Sequence, residues 1–421
     1  MDRRFDCLAV ATLRRTFAAF RHRNFRLFFA GQFVSLIGTW MQSAAQGWLV
    51  YKLTGSSVLL GAVAAVGTLP ILLFSPLGGS VADRFPRRRI ILWTQTSLML
   101  CALFLGTLDA LGAIRAWHIV TLAGVLGIAM AFDIPARQAF VVEMVGKEDL
   151  MNAIALNSSM FNAARVVGPA VAGFVMAATG TALCFILNGV SFVAVIVALL
   201  SMRLEAPARP SGGGSFAAHV AGGVAYVRSN IRVMGTLGLM GVVGIFGWSY
   251  AMLLPAFARD IFGVGETEYG FLMSANGLGA CLGALFVAWS GRSARKHRLM
   301  VGGIWIFSIS VTLFALCRDY RLALLPLAAC GFGLVAFFST ANSSIQLSVP
   351  DALRGRVMGL WTLVFGAGTP VGSMLTGTAA HYLGPPLAVS IGAAFCALAA
   401  VAALGYYSFR VSGDSRPARY R

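Results

Sequence analysis

Long apolar runs separated by short polar gaps dominate the chain. Twelve runs stand out, at 27–50, 57–82, 90–108, 117–136, 153–178, 181–202, 233–258, 269–290, 299–317, 322–341, 357–380 and 386–409. Each is long enough to cross a hydrocarbon layer as a helix, for which about 20 residues suffice. A helix also satisfies its own backbone donors and acceptors, as lipid demands. The runs far exceed the ~10 residues of a barrel strand and do not alternate, so the pattern predicts an all-α membrane protein.

The polar gaps differ in charge. Of the 33 Lys and Arg residues, 27 fall in alternate gaps and in the two tails: 1–26, 84–89, 137–147, 203–232, 292–298, 354–356 and 410–421. The opposite gaps hold Lys52, Arg115, Arg259, Arg318 and Arg321, and Arg165 alone lies inside a run. Short Lys/Arg-rich loops stay cytoplasmic during insertion. The expected topology is therefore multi-pass in an inner (plasma) membrane with both termini cytoplasmic. Composition agrees: 58% of residues are hydrophobic and 11% charged, against roughly 25% charged in soluble domains. A formal charge of +18 raises the question of nucleic acid, but it is divided among separated segments and is expected to meet anionic lipid instead.

The gap at 203–232 is the longest internal one. Pro207, Pro210 and the run Ser211–Ser215 read as a flexible linker, followed by a possible surface helix over Phe216–Arg228. The expected organisation is a basic tail (1–26), a six-helix half (27–202), a linker (203–232), a second six-helix half (233–409) and a basic tail (410–421). The halves echo each other at an offset near 200 residues, with Gly168-Pro169 in run five matched by Gly368-Thr-Pro370 in run eleven. Two parallel six-helix repeats with a ligand site at the midplane form a transporter architecture.

Polar positions inside the runs supply candidate chemistry. On the first run Gln32, Ser35, Thr39, Gln42 and Gln46 recur at three- and four-residue spacing, which puts them on one helix face. Such a face turns inward, either lining a cavity or bonding a neighbouring helix. Ser158, Asn162 and Arg165 share a face of run five, and a buried guanidinium costs at least ~2.5 kcal/mol unless it meets a partner or a wet cavity. Phe161, Trp248, Asn276, Phe338, Asn342 and Trp361 complete the expected substrate-cavity set. Asp133 is the carboxylate expected to be buried in the membrane, as an ion-pair partner or as a proton carrier. Catalysis finds no support. The five histidines and seven cysteines lack metal-ligand spacing, and neither a nucleophile elbow nor a Walker loop is present. No cofactor, metal or nucleic acid is expected.

The loop after run two, Gly79-Ser-Val-Ala-Asp83-Arg84-Phe-Pro86-Arg87-Arg88-Arg89, resembles the G-x-x-x-D-R-x-G-R-R signature of the major facilitator superfamily, with Pro86 where glycine is usual. Asp133-Ile-Pro-Ala-Arg137-Gln138, Asn152–Ser159, Arg165–Gly173, Asn24-Phe-Arg26, Ser35–Met41 and Leu53–Ser56 are similar to the drug–proton antiporter branch that includes the enterobactin exporter. The resemblance covers nearly the whole chain. It implies the major facilitator fold of twelve transmembrane helices. It also implies export of a small amphipathic molecule by a monomer with protons as coupling ion; a facilitator, an importer or a non-transporting receptor are the alternatives. A cytoplasmic latch of Gly79, Asp83, Arg84, Arg87, Asp133 and Arg137 is implied, with Arg87 paired to an acid on helix four, for which Asp133 is the candidate. Gly168, Pro169 and Pro370 are implied helix-bending positions, Gly168-Pro169 resembling the antiporter motif.

Overall fold

The structure, a computed structural model, describes residues 17–203, 216–290 and 296–413. The basic tail before residue 17, the Pro/Gly linker 204–215, Arg292 and Arg295, and the tail after 413 lie outside the described residues. The described residues build thirteen principal helices: α1 Arg23–Thr54, α2 Ser57–Arg84, α3 Arg87–Ala110, α4 Ala116–Val145, α5 Leu150–Thr179, α6 Thr181–Leu200, α7 Phe216–Ser229, α8 Ile231–Phe246, α9 Glu266–Ser290, α10 Lys296–Leu316, α11 Tyr320–Ser348, α12 Asp351–Leu383 and α13 Pro385–Gly413. Eleven helices are long and apolar enough to span a membrane, counting Ile231–Ile261 as one. The remaining long helix, α1, has 32 residues, about 48 Å of rise, but its polar stripe lowers its hydropathy.

Run seven departs from expectation. It is not one helix: α8 ends at Phe246, and the chain continues through a 3-10 turn (Ser249–Leu253), one short turn (Leu254–Ala256) and a π segment (Phe257–Ile261). Pro255 has no N–H to return to the carbonyl of Ala251, so the regular ladder cannot pass through it. The break leaves Trp248 between Phe246 and the 3-10 turn.

Two compact units are present, one within Met1–Gly55, Val66–Gly213 and Gly265–Ser274, the other within Ser56–Ala65, Gly214–Val264 and Ala275–Arg421. In the first, α1 packs on α4, α5 and α6, while α3 packs on α4 and α6. In the second, α8 packs on α11, α12 and α13, while α10 packs on α11 and α13. The same set of pairs thus recurs with helices counted from α8, which is the repeat expected from the sequence. The units differ from the expected halves in two exchanged pieces. The start of α9 lies against α5 in the first unit, where a Cβ on Gly270 would stand 2.6 Å from the Pro169 carbonyl. The start of α2 lies against α12 in the second, where a Cβ on Gly61 would stand 2.5 Å from the Ser373 carbonyl. Both crossings therefore require glycine.

Basic segments gather at one end of each unit. In the first, Arg21 and His22 reach Asp149 at 2.6 and 2.7 Å, Arg88 donates to the Leu200 carbonyl at 2.9 Å, and Asn24 donates to the Arg203 carbonyl at 2.7 Å. In the second, Arg354 donates to the Gln346 carbonyl at 3.1 Å, and the Tyr226 hydroxyl donates to the Ser348 carbonyl at 3.4 Å. The expected helix after the linker is present as α7, packed on α12.

Candidate functional site

The polar stripe of α1 divides between two roles. Gln32, Ser35 and Gln42 are buried, whereas Thr39 is exposed and Gln46 half-buried. Gln42 accepts a 2.6 Å hydrogen bond from Asn188 of α6, and Gly38 sits so close to Asn188 and Ser191 that no side chain fits there. For Gln42 the stripe is therefore interhelical bonding, not cavity wall. Asn188 gave no signal in the sequence because a lone amide in an apolar run has no visible partner.

Beside this seam the first unit carries an aromatic and cationic wall. Trp40 meets Phe161 edge to face at 5.5 Å, and the Arg165 guanidinium carbon lies 5.6 Å from the Trp40 ring centroid. Partial burial strengthens such a cation–π contact to about 1–2 kcal/mol. Phe161 and Ser158 are exposed, and Asn162 is half-buried with its amide donating to the Ser158 carbonyl at 2.9 Å. Gly168 makes the wall possible: a Cβ there would stand 2.5 Å from Trp40 Cβ and 2.8 Å from the Ile37 carbonyl. Pro169 and Pro370 are both buried within their helices.

In the second unit the break after α8 presents a second aromatic surface. Trp248 packs on Phe338 and Phe365 at 5.8 and 5.5 Å, and Phe338 on Phe365 and Trp361 at 5.2 and 6.5 Å. Asn342, one turn beyond Phe338 on α11, is half-buried and accepts from Gln346 at 2.5 Å. Asn276 is not part of this surface. It is buried, donating to the Tyr250 hydroxyl and to the Leu327 carbonyl, and so joins helices. Phe365 completes the cluster and was missed, since one more phenylalanine among 30 carries no signal.

The acidic and basic latch residues separate into two layers. Arg87 pairs with Glu143 of α4 at 2.7 Å, and not with Asp133. The reason is register: Asp133 lies ten residues earlier on α4, about 15 Å deeper along the helix. At that depth Asp133, 1% exposed, accepts from Thr94 at 2.7 Å and Gln95 at 3.0 Å and pairs with Arg137. Asp83 and Arg84 are exposed at the end of α2. Close packing there falls on Gly78, whose absent side chain lets the Ala131 carbonyl approach, whereas Gly79 is open.

At the opposite end of the first unit, Glu266 accepts from the Trp48 indole at 3.0 Å and lies 3.6 Å from the Lys52 ammonium. Tyr269 is buried, stacks on Trp48 at 5.2 Å and donates to the Ala44 carbonyl at 3.3 Å. Ser274 donates to the Val166 carbonyl at 2.8 Å. These residues escaped the sequence reading because Glu266 precedes its apolar run. Among the described residues no group of three or more His, Cys, Asp or Glu side chains is placed to hold a metal.

A bundle of spanning helices in two like-packed units, with polar and aromatic surfaces inside it, is the architecture of a membrane transport protein. The chain belongs to the transmembrane secretion effector family of the major facilitator superfamily, matched over residues 14–416. It is similar to the multidrug efflux pump Tap of Mycolicibacterium fortuitum, 28% identical, with 80% of this chain and 84% of that one covered. The enterobactin exporter EntS of Shigella boydii serotype 4 is 26% identical, with 85% of each chain covered. The staphyloferrin A transporter of Staphylococcus aureus is 23% identical over 85% of this chain and 90% of its own. The fold is also that of a bacterial homolog of the human lysosomal transporter Spinster, solved in an inward-facing and occupied conformation: TM-score 0.71, 14% identity, 90% of this chain and 95% of that chain.

Proposed function

We propose that this transporter exports a small amphipathic organic molecule, drug-like or siderophore-like, across the inner membrane by proton antiport with alternating access. Both termini are assigned to the cytoplasm from the basic gaps. The observation that carries the reading is the wall of Trp40, Phe161 and Arg165. A mid-helix cation stacked on an aromatic ring suits a ligand with both an anionic group and a flat apolar body. The Trp248, Phe338, Phe365 and Trp361 surface of the second unit supplies further flat apolar contact. Relatives named as a multidrug efflux pump and an enterobactin exporter support the direction and the substrate class.

Asp133 is assigned the proton. Protonation would remove the charge that holds Arg137 and loosen the tie between α3 and α4. The Arg87–Glu143 pair, with Asp83 and Arg84 beside it, is assigned to gating at the basic end. Inverted membrane vesicles test the whole reading: uptake of a fluorescent drug or siderophore should follow an imposed inside-acid gradient and collapse with an uncoupler. Equilibration indifferent to the gradient would make the protein a facilitator, and binding without flux would end the transport reading.

A further inference from the structure

The two units are built alike, yet one corner is filled in the first and open in the second. In the first unit the starts of α1 and α3 meet the end of α4. Phe28 and Phe140 fill that corner with ring centroids 6.2 Å apart, among buried Ile90, Ile91, Val141 and Met144. In the second unit the starts of α8 and α10 meet the end of α11. There the corner is a cavity of about 350 Å³, within the ~300–1,000 Å³ range of small-ligand pockets. At the end of α11 the cavity is lined by Ser344, Ile345 and Ser348, whereas the end of α4 carries buried Phe140, Val141 and Met144.

We propose that this corner binds the phosphate headgroup of an anionic phospholipid of the cytoplasmic leaflet. Arg232 stands exposed at its rim and His297 half-buried beside it, and none of the residues lining the cavity is acidic. The motif Asn-x-Arg opens both α1 and α8, as Asn24–Arg26 and Asn230–Arg232. In the first unit, carboxylates of α4 answer arginines at this end (Glu143 to Arg87 and Asp133 to Arg137). The residues lining the second unit's corner include the guanidinium of Arg232, the imidazole of His297 and the hydroxyls of Thr236, Ser344 and Ser348.

The donors are held in place. Asn230 caps α8 by accepting from the Val233 amide at 3.2 Å and donates to the Tyr226 hydroxyl at 3.2 Å, which in turn reaches the Ser348 carbonyl. These bonds tie the start of α8, which carries Arg232, to the end of α11. The Thr236 and Ser348 hydroxyls donate to the carbonyls of Arg232 and Ser344, at 2.9 and 2.7 Å, and present only lone pairs to the cavity. Donors for an anion come from Arg232, His297 and the Ser344 hydroxyl. A guanidinium matches phosphate oxygens two at a time.

A lipid is favoured over a free anion because the inner lining is apolar: Val233, Met300 and Ile345 are buried. A phosphate joined to a glycerol backbone uses both rim and floor, whereas inorganic phosphate has no use for the floor. Helix ends bordered by basic residues also lie at headgroup depth. The choice of leaflet rests on the orientation proposed above.

Native mass spectrometry of the full chain, purified in non-ionic detergent and titrated with phosphatidylglycerol, phosphatidylcholine or inorganic phosphate, tests the assignment without requiring transport. Phosphatidylglycerol should be retained in preference to phosphatidylcholine. R232Q and H297Q should each weaken it about tenfold, and R232K by less. S344F, which refills the corner, should abolish retention; if that variant does not fold, the exposed R232Q decides alone. Equal retention of both lipids, unchanged affinity in R232Q, or displacement by inorganic phosphate at matching concentration overturns the proposal. Lipid retention in a protein that shows no flux would remove the export reading and leave this site standing.

Discussion

Replacing Asp133 with asparagine should destabilise the first unit by an amount that can be worked from its contacts. The carboxylate is 1% exposed, accepts from Thr94 and Gln95, and pairs with Arg137, whose side chain is 22% exposed. An asparagine keeps the shape but removes the charge, and its NH2 group faces donors where an acceptor stood. Breaking a buried ion pair by removing one partner costs about 3–5 kcal/mol. Partial solvation of Arg137 places the expectation near the lower end, ~3 kcal/mol. With an unfolding entropy of ~2.1 cal/mol/K per residue over this chain, that is a fall in Tm of about 3–4 °C. The assay is built in: Cys184, Cys330 and Cys396 are buried free thiols, so a thiol-reactive dye reports unfolding as they appear. The double variant Asp133→Leu/Arg137→Met should recover at least half of the loss, because an apolar pair of similar volume removes both desolvation costs. An unchanged Tm in Asp133→Asn, or a double variant worse than the sum of its singles, would refute the buried-pair argument.

Other expectations are equally specific. Arg87→Ala and Glu143→Gln should reduce flux to a similar extent, and the exchange Arg87→Glu/Glu143→Arg should restore part of it; a Glu143 variant with full activity removes the pair from gating. Arg165→Ala should raise KM for an anionic substrate roughly tenfold while sparing a neutral analogue, corresponding to ~1.4 kcal/mol of lost charge-assisted contact. Gly168→Val should cost about 1–3 kcal/mol by forcing α5 off α1 at Trp40 and should displace Arg165; a variant with wild-type Tm and flux would show that the crossing is not tight. Trp248→Ala should raise KM more than it lowers the maximal rate, measured in the same vesicle uptake assay.

Much of the fold is legible in the sequence. Most helix ends fall within about four residues of the apolar runs, because in lipid the length of an uncharged segment and the satisfaction of its backbone leave little choice; α4, α11 and α12 extend six to nine residues further at their basic ends. The broken seventh run was less visible, since Pro255 within an apolar stretch can either kink a helix or end it. For the candidate site, residue types could be read and partners could not. Asp133 was recognised as buried, but Arg87 was given the wrong acid. Two carboxylates on α4 were both available in sequence, and only the depth of each along the helix decides between them.

The stripe on α1 shows the same limit from the other side. Spacing puts Gln32, Ser35, Thr39, Gln42 and Gln46 on one face, yet a face spans an arc wide enough to touch a neighbour at one edge and stay open at the other. Gln42 bonds to Asn188 of α6, and Thr39 remains exposed. Hydropathy and charge are properties that each segment carries alone, so the sequence by itself determined that the chain is a helical membrane protein with its basic residues in alternate gaps. Pairing and filling belong to two or more segments at once. Which acid meets Arg87, which aromatic rings form surfaces, and which corner is packed by Phe28 and Phe140 while its counterpart stays open were decided only by tertiary structure, because each depends on the depth and rotation at which helices distant in sequence come to rest.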